Sequence, residues 1–193
     1  MSTAAAQRPG HSSPPRGMTI DEFEQLEESL GDVRIELIEG RVFQRDEMNP
    51  PHVVTTGRAK RAVEPMLPSG RFIRKDEPVR IPDFNEPFPD LAVAHGDLET
   101  YADRHPGPED VSLLIKVSDT TLVKDRGVKK DNYGRAGIPV YWIVNLIERQ
   151  IEVYSGPRYD GYAPPAIYRS GDYVPVVIDG AVVGKVAVGD ILS

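Results

Sequence analysis

The chain reads as an α/β domain, a central sheet with helices packed against it, and three observations carry that reading. The run Val111 to Ser118 is almost continuously apolar, the pattern of a strand covered on both faces. A basic, helix-like segment from Leu122 to Ala136 leads from it into a second apolar run, Val140 to Leu146, so strand, helix and strand follow one another. The chain has 193 residues, 39% of them apolar, which suits one domain with a core of its own.

The elements follow in order. Residues 1–17 are small, polar and proline-rich, and they cannot bury enough apolar surface to offset their ordering entropy. They read as a disordered tail before a single domain over 18–193. Thr19-Ile20-Asp21-Glu22 has capping-box spacing, and Ile20, Phe23 and Leu26 form a helical stripe, so a helix is expected from about Ile20 to Ser29, stopped by Gly31. Val33, Ile35 and Leu37 alternate with polar residues, Glu39-Gly40 makes a turn, and Val42-Phe43 returns, which predicts a β-hairpin. Pro50-Pro51 breaks the chain before a helix with Val54, Ala59, Ala62, Val63 and Met66 mostly on one side and Arg58, Lys60 and Arg61 on the other. Residues 70–82 read as an edge strand interrupted by Pro78. The first central strand starts at Pro89-Asp90, and the stretch from Gly96 to Asp110 is a loop. The helix after Ser118 is poor by propensity, since Gly127 and Gly134 each cost about 1 kcal/mol relative to alanine, and Gly137 with Pro139 stops it. Tyr141–Val144 and Gln150–Tyr154 make two strands across a short turn, and Tyr173–Ile178 and Ala181–Val188 are expected as strands appended to the sheet.

Composition removes several classes of function. There is no cysteine, hence no disulfide, thiolate metal site or cysteine nucleophile. No apolar run approaches the ~20 residues that span a bilayer, and the first 17 residues lack a signal-peptide core, so a cytoplasmic protein without membrane attachment is expected. A net charge of −7 argues against a general nucleic-acid coat protein but leaves room for a local basic patch, and residues 116–135 carry six basic against three acidic side chains. The histidines lack zinc-ligand spacing, Ser118 has no triad pattern around it, and no glycine-rich stretch has phosphate-loop spacing. Tyr141 and Trp142 read as core packing.

Metal-assisted cleavage of a phosphodiester needs carboxylates to hold a cation and a positive group to stabilise charge on the phosphoryl oxygens. Asp90, at a rigid strand start that opens toward solvent, is placed for the first role. Lys129 and Tyr133, four apart, share a helix face. Taken alone, a Pro-Asp dipeptide is more often an ordinary turn.

The order of motifs is more specific. Pro89-Asp90-Leu91-Ala92-Val93, Leu114-Ile115-Lys116-Val117-Ser118, Asp125-Arg126-Gly127-Val128-Lys129, Tyr133, Gly137-Ile138-Pro139 and Tyr141-Trp142-Ile143-Val144 together resemble the Uma-two family of restriction-endonuclease-like proteins, in the PD-(D/E)xK nuclease superfamily. Ile35-Glu36-Leu37-Ile38-Glu39-Gly40 resembles that family's hairpin, and His52 falls where the family often has a histidine. The likeness covers about residues 18–155. It implies a restriction-endonuclease-like mixed central sheet flanked by helices, with an N-terminal helix and hairpin, and a magnesium-dependent endonuclease that hydrolyses DNA phosphodiester bonds. It further implies Asp90 as the metal ligand, Lys129 as the catalytic lysine moved to the following helix, and Glu36 as an accessory acid. A homodimer is expected by analogy alone.

Lys116 stands where that family has its second carboxylate. A lysine cannot coordinate Mg2+, and on a buried strand its ammonium must be paired or neutral. The expectation is that Lys116 takes the metal's place beside Asp90. Two functions stay open: a Mg2+-dependent endonuclease impaired at this position, and a catalytically inactive nuclease-fold module that binds DNA or a protein.

Overall fold

The computed structural model describes residues 17–45 and 47–193, so the tail expected over 1–17 lies outside the described residues except for Gly17. Helix α1 (Ile20–Leu30) starts at the expected capping box, with Thr19 Oγ1 accepting from the Glu22 amide and the Glu22 carboxylate accepting from the Thr19 amide. It packs on β1 (Ile35–Ile38) through Ile20, Phe23, Ile35 and Leu37, and β1 pairs in a hairpin with the exposed β2 (Arg41–Gln44). Strict alternation does not hold in β1. All four of its residues are buried, Glu36 included, because Glu36 faces lysines of the crossover helix rather than solvent.

Helix α2 (Pro50–Val63) incorporates both prolines in its first turn, after an N-cap at Asn49 whose side chain accepts from the His52 amide. Proline is tolerated there because those amides have no intrahelical acceptor to lose. The expected apolar face is shifted: Val54 is exposed, and His52, Thr55, Thr56, Ala59 and Val63 are buried.

Six strands build the central sheet. β3 (Arg71–Lys75) forms one edge, and the segment after it, expected as more strand, is irregular with an isolated bridge between Ile81 and Asn85. β4 (Leu91–His95), β5 (Val111–Ser118), β6 (Val140–Asn145) and β7 (Gln150–Ser155) follow inward and across the sheet. The crossover from β5 to β6 runs through α3 (Leu122–Lys124), a π-type turn at Asp125–Lys129 kinked at Gly127, and α4 (Lys130–Arg135). Because β5 and β6 are parallel and the remaining pairs antiparallel, the sheet is mixed.

Beyond β7 come the two-residue strands β8 (Pro157–Arg158) and β9 (Gly161–Tyr162), then the edge strand β10 (Ala166–Tyr168). The last hairpin, β11 (Tyr173–Ile178) and β12 (Ala181–Ala187), is a sheet of its own rather than an extension of the central one. It packs face-on, with Val174, Val176 and Ile178 in the core beside Leu113, Trp142 and Val144. A short helix α5 (Val188–Leu192) ends the chain against α2.

Period-2 alternation explains how the sheet divides its side chains. Leu113, Ile115 and Val117 of β5 enter the core shared with α2, α5 and the last hairpin. Leu114 enters the opposite cluster, with Leu122, Tyr133 and Ile138 of the crossover. Lys116 and Ser118 share Leu114's face by parity, so both are turned toward the crossover.

Candidate functional site

Register places the central pair. In the antiparallel β4–β5 ladder Leu91 lies opposite Ile115 and Ala92 opposite Leu114, so the residue before β4 falls across from Lys116. The Asp90 amide donates to the Ile115 carbonyl at 3.1 Å, which extends the ladder to that position. Lys116 Nζ stands 2.9 Å from Asp90 Oδ1, and the Val117 amide donates to Asp90 Oδ2 at 2.6 Å. His52 Nε2 approaches the same Oδ1 at 3.3 Å from the first turn of α2. Burial alone would push the Asp90 carboxyl up. Lys116 and His52 outweigh it and hold the group at about 2. For Lys116 burial works downward, but Asp90, Asp125 and Glu36 raise the ammonium above its ordinary value.

A second cluster lies next to the first. Glu36, 2% exposed, receives Lys129 Nζ at 2.6 Å on Oε2 and Lys124 Nζ at 3.1 Å on Oε1. Burial again opposes ionisation, and the two lysines reverse it, leaving Glu36 below the ordinary carboxylate range. Lys129 is lowered, chiefly by burial and further by Lys116. Asp125 Oδ2 accepts from Ser118 Oγ at 2.7 Å and Thr121 Oγ1 at 2.5 Å, and Lys129 Nζ lies 3.9 Å from Oδ1.

Most of these groups border one narrow cleft of about 50 Å³ that opens to solvent. Asp90, Lys116, Lys129 and Glu36 all border it. So do His52, Lys124, Arg34 and Arg45, the last two ion-paired with Asp76. Lys124 was hidden from sequence reasoning because it is five residues from Lys129, about 140° away on a regular α-helix. The π-type turn closes that angle and brings both ammonium groups to Glu36. The available signal was Gly127 between them. His52 was marked by the family resemblance and by its place just after a capped, proline-led helix start, not by any ligand spacing.

Behind the π-type turn, Arg126 holds the crossover to the sheet. Its guanidinium meets the buried Glu152 carboxylate of β7 through Nε at 3.0 Å and Nη2 at 2.6 Å, and Glu148 through Nη1 and Nη2. Asn145, Gln150 and Tyr154 complete the hydrogen bonds to Glu152.

Mg2+ takes oxygen ligands with free lone pairs in near-octahedral array. Asp90 and Glu36 do not offer such a set, and Asp119, also at the cleft, accepts from Asn49 Nδ2 at 2.9 Å. Asp90 Oδ1 is taken by an ammonium and an imidazole, Oδ2 by a backbone amide, and both oxygens of Glu36 by lysines. Among the described residues no three His, Asp or Glu side chains are grouped as metal ligands. No step is therefore assigned to a metal.

The model of the Uma2 family, described as a putative restriction endonuclease, matches residues 20–181. No curated protein matches the chain. Among solved structures, the crystal structure of a putative nuclease belonging to DUF820 from Anabaena variabilis is similar with a TM-score of 0.68. At 16% identity it covers 91% of this chain, and 97% of that one is covered in return, a likeness that shows the fold. Among the described residues no helix is long and apolar enough to cross a membrane.

Proposed function

The chain belongs to the Uma2 family, and from that membership and the geometry of the cleft we propose that it is a nuclease-type domain that holds the phosphodiester backbone of DNA without hydrolysing it. The observation that carries this reading is the Lys116–Asp90 ion pair, 2.9 Å long, on the floor of the cleft. Lys124, Lys116, Arg34 and Arg45 border the same space. Lys124, about a quarter exposed, is the ammonium best placed to meet a phosphate oxygen from solvent.

Hydrolysis would ask the cleft for a carboxylate free to hold a cation or to orient water. Asp90 and Glu36 are each bound by ammonium groups, and Lys129, the family's catalytic amine by resemblance, is committed to Glu36. This arrangement favours retention of the backbone over its cleavage. Magnesium-dependent cleavage by Asp90, Glu36 and Lys129 is the competing outcome.

Fluorescence anisotropy with a DNA duplex, titrated in EDTA over a series of salt concentrations, tests the binding. The expected result is salt-dependent binding with a slope that falls by about one on Lys124→Ala. No binding at low salt would sink the proposal. Nicking of plasmid DNA with Mg2+ or Mn2+ that disappears in Asp90→Ala would replace binding with catalysis.

A further inference from the structure

We propose that the Lys116 ammonium is the resident cation of the cleft: a charge tethered to β5 that occupies the place of a divalent metal and makes the site metal-free by construction. The phosphodiester part of its consequence rests on the function proposed above. The statement about the cation does not.

The charges of the buried carboxylate–lysine cluster beside the cleft balance without any added ion. Three buried carboxylates, Glu36, Asp90 and Asp125, face three ammonium groups, Lys116, Lys124 and Lys129. A divalent ion placed among them would leave two uncompensated positive charges where water is scarce, which is costly. Replacing Lys116 with a neutral side chain leaves a net charge of −1. Replacing it with a carboxylate leaves −2, the charge a divalent cation neutralises.

The position of the ammonium matters as much as its sign. Lys116 faces Asp90 across the β4–β5 ladder, so strand register holds it there. Its side chain is 14% exposed, and Asp125 and Glu36 add attraction from the crossover and the hairpin. To admit a metal at Asp90, this side chain would have to leave Asp90 and move away from the attraction of Asp125 and Glu36. Asp90 Oδ2 would still be engaged by the Val117 amide. The same ammonium can meet a phosphate oxygen in the cleft directly, as a protein-borne counterion.

Mn2+ titration of the purified full chain, followed by electron paramagnetic resonance, reads uptake directly, and thermal melting with and without the ion gives a second readout. For the wild type, the expected result is no bound equivalent and a melting temperature that Mn2+ leaves unchanged. For Lys116→Glu, the expected result is uptake of one equivalent and a rise of about 3–6 °C at tenfold excess of Mn2+ over its Kd. If Lys116→Glu does not fold, Lys116→Gln serves, with weaker uptake expected. One equivalent bound by the wild type and lost in Asp90→Ala would overturn the proposal, and so would a folded Lys116 variant that takes up none. Anisotropy in EDTA is scored separately. A wild type that binds neither Mn2+ nor DNA would leave the resident cation standing and remove the function proposed above.

Discussion

On the Asp90 carboxylate, an ammonium and a backbone amide from β5 and an imidazole from α2 converge. Removing the negative charge leaves Lys116 beside Asp125 and Glu36 without its shortest partner. Asp90→Asn is expected to cost about 3 kcal/mol in urea unfolding. The pH dependence has a definite sign. The folded-state value, about 2 against an ordinary 3.8, lies below the unfolded one, so the stabilisation is complete above roughly pH 4 and is lost as pH falls toward 2. That gap corresponds to on the order of 2 kcal/mol. Urea midpoints at pH 6 and pH 2.5 should therefore lie closer together in Asp90→Asn than in the wild type. Asp90 was legible through the order of motifs around it rather than from its Pro-Asp dipeptide, which alone is commoner as a turn. Lys116 was legible because its neighbours Leu114, Ile115 and Val117 spell a buried strand. His52 was legible only through the family likeness, since one histidine on a helix carries no spacing to interpret.

The crossover from β5 to β6 shows where intrinsic propensity and packing disagree. By propensity Gly134→Ala should gain about 1 kcal/mol. In the structure a Cβ at Gly134 would stand 2.2 Å from the backbone of Gly161 in β9, a contact that neither side can relieve by rotating a side chain. The expected result is a loss of about 1–3 kcal/mol, seen as a lower urea midpoint. The glycine that reads as a weak helix former is the residue that lets α4 and β9 approach. Helix existence and the stop at Gly137 were legible because glycine and proline act locally. The five-residue lysine pair was not, because its common face depends on a turn that departs from α-helical phase.

At the scale of the molecule, α1 and the hairpin are fastened over an unusual carboxylate. Glu86 is fully buried, no hydrogen bond reaches either of its side-chain oxygens, and Arg80 Nε is 3.9 Å away. Burial first, then Glu24, pushes its carboxyl up to about 7, with Arg80 acting against them. Its folded-state value exceeds the unfolded one, so the fold favours the protonated acid and loses stability as pH rises from about 4.5 through 7. Glu86→Gln should abolish that decline, and melting temperatures at pH 5 and pH 8 check it. The order of strands and helices was largely legible, because buried strands and punctuating glycines and prolines mark themselves. The separation of β11 and β12 from the central sheet was not. Their apolar alternation would serve an added edge strand or a face-packed hairpin equally well, and only the neighbouring core decides between them.

The kinked crossover also bears on how this chain tolerates a change of length. Lys124 and Lys129 reach one carboxylate although five positions separate them, which means the link carries one residue more than a regular coil needs. Excising Gly127 would set the two amines four apart, about 40° from each other on an unbroken α-helix and still on a common side. A chain shortened by that residue should fold with its ammonium pair intact, whereas Arg126 would be rotated relative to Glu152.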